Sequence, residues 1–301
     1  MKILVTGGAG FIGKYLVKSL LLNNNSITIF DNFSNSSKDS INFLKNKDVK
    51  IIEGDIRKIQ EISNVIKNQE IVIHLAAKIS VVDSINNPSE TFQVNVNGTK
   101  NILTACEKHR VKKLIVASSA AVYGESLPNL KLTEKSQTNP ISPYGESKVK
   151  MEHEIREFES KHEISCIILR FFNIYGIGQS PEYAGVITKF VERITQNKSL
   201  EIFGDGLQTR DFVAIDDVIN SIHNAISFGK SGTYNIASGK IITIKELAEM
   251  MILSSEKKLN IQHTAILKGD IRNSQANITL AKKDLKYSPK FELDKIKELL
   301  E

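Results

Sequence analysis

Tyr144 and Lys148 stand four residues apart in SPYGESK (142–148), and Ser118 and Ser119 close an apolar run upstream, KLIVASS (113–119). A phenol beside an ammonium group can act as a base. Its pKa of about 10 has to be drawn toward neutrality, and a nearby positive charge does that. The same seven residues also read as an ordinary helix start. Ser142 suits an N-cap, Pro143 suits the first helical position, and residues four apart share one helical face. Taken alone, the capped helix is the commoner meaning, and the rest of the chain has to decide.

A second group of residues supplies context. TGGAGFIG (6–13) places Gly7, Gly10 and Gly13 at G-x-x-G-x-x-G spacing between a strand-like run and an amphipathic stretch. Glycine there permits a tight turn and lets backbone approach a pyrophosphate, while the helix N-terminus offers free N–H groups. The triplet alone also fits a plain strand-to-helix turn. Asp31 lies 18 residues beyond Gly13, at the end of the next strand-like run. A carboxylate there can accept both adenosine ribose hydroxyls and repels a 2′-phosphate, which favours NAD over NADP. The alternative is a capping aspartate. Asp55 in GDIR (54–57) is equally a candidate adenine contact or a turn aspartate.

The elements that must hold these residues are legible from periodicity. Runs at 2–6, 26–30, 50–53, 71–74, 113–118 and 166–170 are apolar and rich in β-branched residues, as parallel strands covered on both faces require. Amphipathic stretches at 11–22, 57–67, 89–109 and 143–161 separate them. The alternation predicts an α/β fold, a doubly wound parallel (Rossmann) sheet. After residue 175 the rhythm changes. Helices near 186–196, 216–228 and 243–254 and strands near 234–237 and 261–266 suggest a smaller C-terminal α/β lobe over the carboxyl edge of the sheet. The expected division is 1–176 for the NAD-binding domain, with 212–237 returning to it, and 177–211 plus 238–301 for the substrate lobe.

Composition narrows the function. Of 301 residues, 41% are hydrophobic, enough for a substantial core, and no run reaches the roughly 18 apolar residues of a membrane span. The net charge of +6 comes from scattered lysines without a basic block, so no nucleic-acid partner is expected. Six histidines and two cysteines, Cys106 and Cys166, show no ligand spacing, so no metal is expected. The opening MKILVTGG runs straight into a strand without a basic leader, and a cytoplasmic location follows as an expectation.

Together, Ser119, Tyr144 and Lys148 resemble the Ser–Tyr–Lys triad of the short-chain dehydrogenase/reductase superfamily. The glycine spacing and chain length resemble its extended branch, the NAD-dependent sugar epimerase/dehydratase family. The similarity runs from Met1 to about Tyr287. Its markers are DNFSNS (31–36), HLAA (74–77), NPSETFQVNVNGT (87–99), LRFFNIYG (169–176), GDGLQTRDFVAIDDV (204–218) and GDIRNSQANI (269–278). Sugar-nucleotide 4,6-dehydratases of that family carry Asp-Glu just before Val-Tyr-Gly, and UDP-glucuronate decarboxylases resemble them in keeping the Glu. Here Ala120 and Ala121 stand there, so SSAAVYG (118–124) looks like a 4-epimerase acting on a UDP-sugar.

The resemblance implies roles residue by residue. Tyr144 is the base, Lys148 lowers its pKa and holds the nicotinamide ribose, and Ser119 binds the sugar 4-oxygen. Cofactor contacts are implied for Gly7, Gly10, Phe11, Ile12, Gly13, Asp31, Asn32, Asp55, Ile56, Leu75, Ala76, Ala77, Asn95, Tyr144, Lys148 and Phe171. Substrate contacts are implied for Asn173, Gly185, Val186, Ile202, Phe203, Arg210, Asp270, Arg272 and Ser274, besides Ser119 and Tyr144. A small residue at Ser274 implies room for a 2-acetamido group, hence UDP-GlcNAc/UDP-GalNAc beside UDP-Glc/UDP-Gal. Two departures touch the substrate lobe: Ile177 replaces the family's proline or lysine, and Asn277 replaces an aspartate. The helices at 89–109 and 143–161 carry apolar stripes wider than a single sheet face, and the resemblance implies that they pair across a two-fold axis in a homodimer; the alternative is ordinary packing within one chain. The alternatives are another nucleotide-sugar epimerase or reductase, and a non-catalytic NAD-binding regulator on the same fold.

Overall fold

Short β-branched runs become strands, and the amphipathic stretches between them become helices. The computed structural model describes residues 1–44, 49–127, 130–179, 185–266, 271–290 and 293–300. The first half gives β1 (Lys2–Thr6), α1 (Phe11–Leu21), β2 (Ser26–Asp31), β3 (Val49–Glu53), α2 (Ile59–Ile66) and β4 (Ile71–His74). Next come α3 (Val81–Asn86), α4 (Pro88–Phe92), α5 (Gly98–Lys108), β5 (Lys113–Ser119), α6 (Pro143–Glu159) and β6 (Ser165–Phe171). The remainder gives β7 (Asn173–Tyr175), α7 (Val186–Thr195), β8 (Leu200–Phe203), β9 (Thr209–Arg210), β10 (Phe212–Ala214) and α8 (Ile215–Phe228). It ends with β11 (Gly232–Ile236), β12 (Ile242–Thr243), α9 (Ile244–Ser254), β13 (Ile261–Thr264) and α10 (Thr279–Leu285).

Seven strands form one sheet in the order β11-β6-β5-β4-β1-β2-β3, every neighbouring pair parallel. The expected doubly wound parallel sheet is therefore present, and its order reverses between β1 and β4, where such sheets bind ligands. The two faces divide by residue parity. Ile3, Val5, Ile27, Ile29, Ile73 and Ile115 pack with α1 and α8. Leu4, Phe30, Val72, Leu114 and Val116 pack with α2, α5 and α6. Alternation of side chains along a strand makes this split, and helices on both faces keep the runs apolar throughout.

A third core belongs to the smaller lobe. Ile187, Phe190, Leu200, Ile202, Ile244, Leu247 and Met251 bury against one another there. Residues 276–287, which the expected division assigns to this lobe, have Ala276, Ile278, Ala281, Leu285 and Tyr287 buried in the first core instead, beside α8 and β11.

The stretch 89–109 is not one helix. It is broken by a π-helical turn at Gln93–Asn97, from which the Asn95 amide clasps the Lys78 backbone, accepting from N at 2.8 Å and donating to O at 2.9 Å. The reason offered for dimerisation also changes. Ile102, Leu103, Cys106, Met151 and Ile155 are covered within the chain by the sheet, and α4, α5 and α6 have no exposed large hydrophobic side chain. Exposed apolar side chains gather on α3 instead, at Val81, Val82 and Ile85.

His74 ties the two central strands to α5. Its Nδ1 accepts from Thr6 Oγ1 at 2.8 Å. Thr99 Oγ1, 3.0 Å from Nε2, spends its proton on Asn95 O, so Nε2 carries the ring hydrogen. Burial pushes His74 down to about 3 from 6.5, so the native fold keeps it neutral while the unfolded chain protonates it. Its contribution is whole above pH 6.5 and is lost as pH falls toward 3. Urea unfolding across this range is expected to lose slope in His74→Gln by up to one proton, about 1.4 kcal/mol per pH unit. An unchanged slope would mean the buried imidazole is charged.

Candidate active site

Because every strand of the sheet runs the same way, the loops after β1, β2, β4, β5 and β6 open on one edge, and a cleft of about 1120 Å³ follows that edge. Gly7, Gly10, Phe11, Ile12, Gly13, Asp31, Asn32, Asp55, Ile56, Leu75, Ala76, Ala77, Ser119, Tyr144, Lys148 and Phe171 all line it. At Gly7 the backbone is left-handed (φ +70), and a Cβ would lie 2.6 Å from Ala76 N. Glycine is therefore required where β1 meets β4. Gly10 caps α1 with no side-chain hydrogen bond, leaving the first N–H groups of the helix open to the cleft.

Asp31 clamps this loop. Its Oδ2 accepts Ala9 N at 2.9 Å and its Oδ1 accepts Phe33 N at 2.8 Å. Burial pushes its carboxyl up, and these two backbone bonds pull it back part of the way. Asp31 thus caps a turn and also faces the cleft. Asp55 is held below the usual carboxylate range by the Arg57 guanidinium. Asn35 and Ser36 also line the cleft, and Asn35 Oδ1 and Ser36 Oγ are buried without a protein partner. An open helix N-terminus, a glycine turn, a carboxylate at the end of β2 and two unspent polar atoms are features that fit a dinucleotide.

The predicted trio comes together at the middle of this edge. Ser119 ends β5 and caps the short 3₁₀ turn Ala120–Val122, its Oγ accepting Ala121 N at 3.1 Å. Ser142 caps α6 by accepting Gly145 N at 3.1 Å. A Cβ on Gly145 would stand 2.6 Å from Ala121 O, so the first turn of α6 sits directly on the residues that follow Ser119. Tyr144 is thereby brought to Ser119. Burial pushes its phenol above the ordinary value, and its hydrogen bond with Ser119 pulls it down again in part. Lys148 is buried; Nζ donates to Ala117 O at 2.8 Å and lies 6.0 Å from the Tyr144 ring centroid. Burial draws this ammonium down to about 8, against the upward pull of the Glu152 carboxylate.

The substrate half is placed less uniformly. Asn173, Gly185, Val186, Ile202, Phe203 and Arg210 line the cleft, with Gly185 capping α7 through no side-chain bond. Asn173 Nδ2 donates to Asp211 O at 3.1 Å. Three residues stand off the cleft lining. Asn95 is buried behind it, both ends of its amide spent on Lys78 and Ser147. Arg272 forms a bidentate pair with Asp205, at 2.6 and 2.8 Å. Ser274 is buried between Asn273, bonded to Glu125, and Gln275, whose carbonyl accepts Leu132 N. Asp270 lies outside the described residues.

Sequence reasoning passed over Glu152 and Arg170. Arg170 Nε and Nη2 donate to the two Glu152 oxygens at 2.9 and 2.6 Å, and both side chains are almost wholly buried. The signals were present. Tyr144, Lys148 and Glu152 repeat at four-residue steps, and an arginine inside an apolar parallel strand demands a partner. Gln208 was also missed; it lines the cleft with Nε2 on Phe203 O at 2.9 Å and Oε1 buried without a protein partner.

Comparison with known proteins bears on this geometry. The model of the NAD dependent epimerase/dehydratase family matches residues 3–237. A putative UDP-glucose 4-epimerase of Methanocaldococcus jannaschii is 42% identical over 254 residues, 83% of this chain and 81% of that protein. The crystal structure of UDP-glucose 4-epimerase from Thermotoga maritima with UDP-glucose superposes with a TM-score of 0.94 at 32% identity, covering 100% of this chain and 97% of that one. UDP-N-acetylglucosamine 4-epimerase from Methanobrevibacter ruminantium, in complex with UDP-N-acetylmuramic acid, gives 0.92 at 33% identity, covering 99% and 95%.

The glycine turn is the cheapest place to test the nucleotide site. In Gly7→Ala the new methyl meets Ala76 backbone at 2.6 Å in a left-handed conformation. NAD affinity by calorimetry is expected to fall at least about tenfold while far-UV circular dichroism is retained. Unchanged affinity would remove this turn from the nucleotide site.

Proposed function

We propose that this chain, which belongs to the NAD dependent epimerase/dehydratase family, interconverts UDP-hexoses at C4, taking UDP-Glc/UDP-Gal and UDP-GlcNAc/UDP-GalNAc. The observation that carries the reading is Tyr144 meeting Ser119 in the cleft, with alanine rather than carboxylates at 120 and 121. A phenol beside a hydroxyl can move one proton on and off a sugar oxygen. Elimination of water needs an acid and a base of its own, and Ala120 and Ala121 offer neither.

Tyr144, as phenolate, takes the proton of the sugar 4-hydroxyl and later returns it. Ser119 shares the 4-oxygen and keeps the phenol oriented. Bound NAD supplies hydride acceptance and return at the sugar C4. Lys148, held by Ala117 O, offers the positive charge that draws the phenol down, and it would hold the nicotinamide ribose. Gly7, Gly10, Asp31 and the open turn of α1 hold the dinucleotide. Asn173, Arg210 and the uncapped start of α7 at Gly185 and Val186 take the substrate diphosphate, with Ile202 and Phe203 against the base. Arg272, paired with Asp205, enters this proposal on the resemblance. Asp270 and Ser274 enter this proposal on the resemblance alone. The relative that is a UDP-N-acetylglucosamine 4-epimerase supports the wider sugar range. A homodimer through 89–109 and 143–161 rests likewise on resemblance, since both stripes are already buried within one chain.

Incubation with UDP-Glc and with UDP-GlcNAc, without added reductant, is expected to yield the 4-epimer of each. Tyr144→Phe is expected to lower kcat by about 10²–10⁴-fold, the usual worth of a positioned base. Formation of neither 4-epimer overturns the reading. A GDP- or dTDP-sugar turned over in preference to both corrects the base, and a Tyr144→Phe protein with full activity points to a different proton acceptor.

A further inference from the structure

We propose that Glu152 is a positioning residue, a buried carboxylate that sets Ser119 and Lys148 in place through the end of β5. Three residues of α6 at four-residue steps meet three consecutive residues of β5. Tyr144 meets Ser119 in the cleft, Lys148 Nζ donates to Ala117 O at 2.8 Å, and Ser118 Oγ donates to Glu152 Oε1 at 2.6 Å. Leu114 and Val116 pack on the α6 side of the sheet, and strand alternation puts Ser118 on the same side. Fixing Ser118 toward α6 therefore fixes the strand end from which Ser119 is presented to Tyr144 in the cleft.

Glu152 is itself immobilised. Arg170, which faces Ser118 across the β5–β6 ladder, grips both carboxylate oxygens, and Arg156 Nη2 adds a bond to Oε2 at 3.1 Å. Arg170 Nη1 continues to Tyr123 OH at 2.8 Å, and Tyr123 OH donates to Asn235 Oδ1 at 2.6 Å. Every acceptor site that matters is filled, the condition under which a buried ion pair is tolerated. The network thus joins β5, β6, β11 and α6 beneath the trio and leaves one anion a helical turn from Lys148. The charged and titratable groups facing Lys148 are Glu152 and Tyr144 on α6 and His74 on β4, which is neutral. Arg170 and Arg156 face Glu152. Loss of the Glu152 charge removes the anion that holds the Lys148 ammonium up against burial.

The inference rests on the 4-epimerase reading for its kinetic arm only. The NAD-bound protein, labelled with ¹³C-lysine and assigned against Lys148→Met, reports the Lys148 titration without any sugar. In Glu152→Gln that midpoint is expected to fall by at least half a pH unit. In the 4-epimerisation assay kcat is expected to drop at least tenfold, KM to stay within threefold, and the alkaline limb of the kcat profile to move to lower pH. Ser118→Ala leaves the ion pair intact and guards against misfolding. Its kcat is expected to fall at least fivefold with the Lys148 midpoint unchanged. Should Glu152→Gln fail to fold, Glu152→Gln/Arg170→Gln, which removes both charges and leaves the net charge unchanged, is held to the kcat criterion alone. Wild-type kcat in Ser118→Ala or in the double variant, or a folded Glu152→Gln protein with an unmoved Lys148 midpoint, overturns the inference. A midpoint that Glu152→Gln shifts, where the wild-type protein epimerises nothing, sustains the positioning of Lys148 and instead refutes the proposed reaction.

Discussion

Seven strands that all run the same way must all end at the same edge, and the site of this protein follows from that single constraint. The chain goes out from β1 to β3, returns to β4 and continues to β11, so neighbouring loops diverge at the β1–β4 seam. The glycine turn after β1 and the Leu75–Ala77 backbone after β4 meet there, closely enough that a methyl at residue 7 would touch Ala76. Ser119, one strand further along, and the α6 start that covers it complete the same edge. Residues separated by 137 positions, Gly7 and Tyr144, share a cleft because parallel pairing leaves them no other place.

Elements of this kind are the part that sequence states most plainly. A buried parallel strand has to be apolar on both faces, and the runs at 2–6 and 71–74 appear as strands at those positions. Helix starts were equally visible where chemistry fixes them, as at Ser142 and Pro143 before α6. The Asn95 turn was not visible, because a π-helical turn depends on where one amide finds partners, here the Lys78 backbone, and local periodicity does not encode that distant contact. The apolar stripes of α5 and α6 misled for a related reason: counting apolar residues does not reveal how much area a twisted sheet can cover.

Site residues divide along the same line. Those carried by strand ends and helix starts fall into the cleft where periodicity puts them, as Asp31, Ser119 and Tyr144 do. Two carried by irregular chain of the C-terminal part do not. Arg272 takes Asp205, an acid from another loop, and Ser274 is fixed by neighbours that bond Glu125 and Leu132. Glu152 and Arg170 lay in regular elements and were legible in principle. A guanidinium in the middle of a sheet costs too much unpaired to be incidental, so the arginine of β6 was a request for a carboxylate, and α6 holds one on the face that already bears Lys148.

That pairing bears on how a buried phenol can ionise at all. Burial raises the Tyr144 phenol and lowers the Lys148 ammonium, so each group by itself resists the charge the reaction asks of it. Together the two resistances oppose one another less, because an anion and a cation side by side in a poorly screened cleft attract strongly and carry no net charge. The requirement is that the lysine be charged before the phenol is. Glu152 meets it from one helical turn away, and Arg170 cancels the charge of Glu152 so that the core as a whole stays neutral. Charge enters this interior in matched pairs, first the structural pair beneath and then the working pair above, and the second depends on the first being immobile.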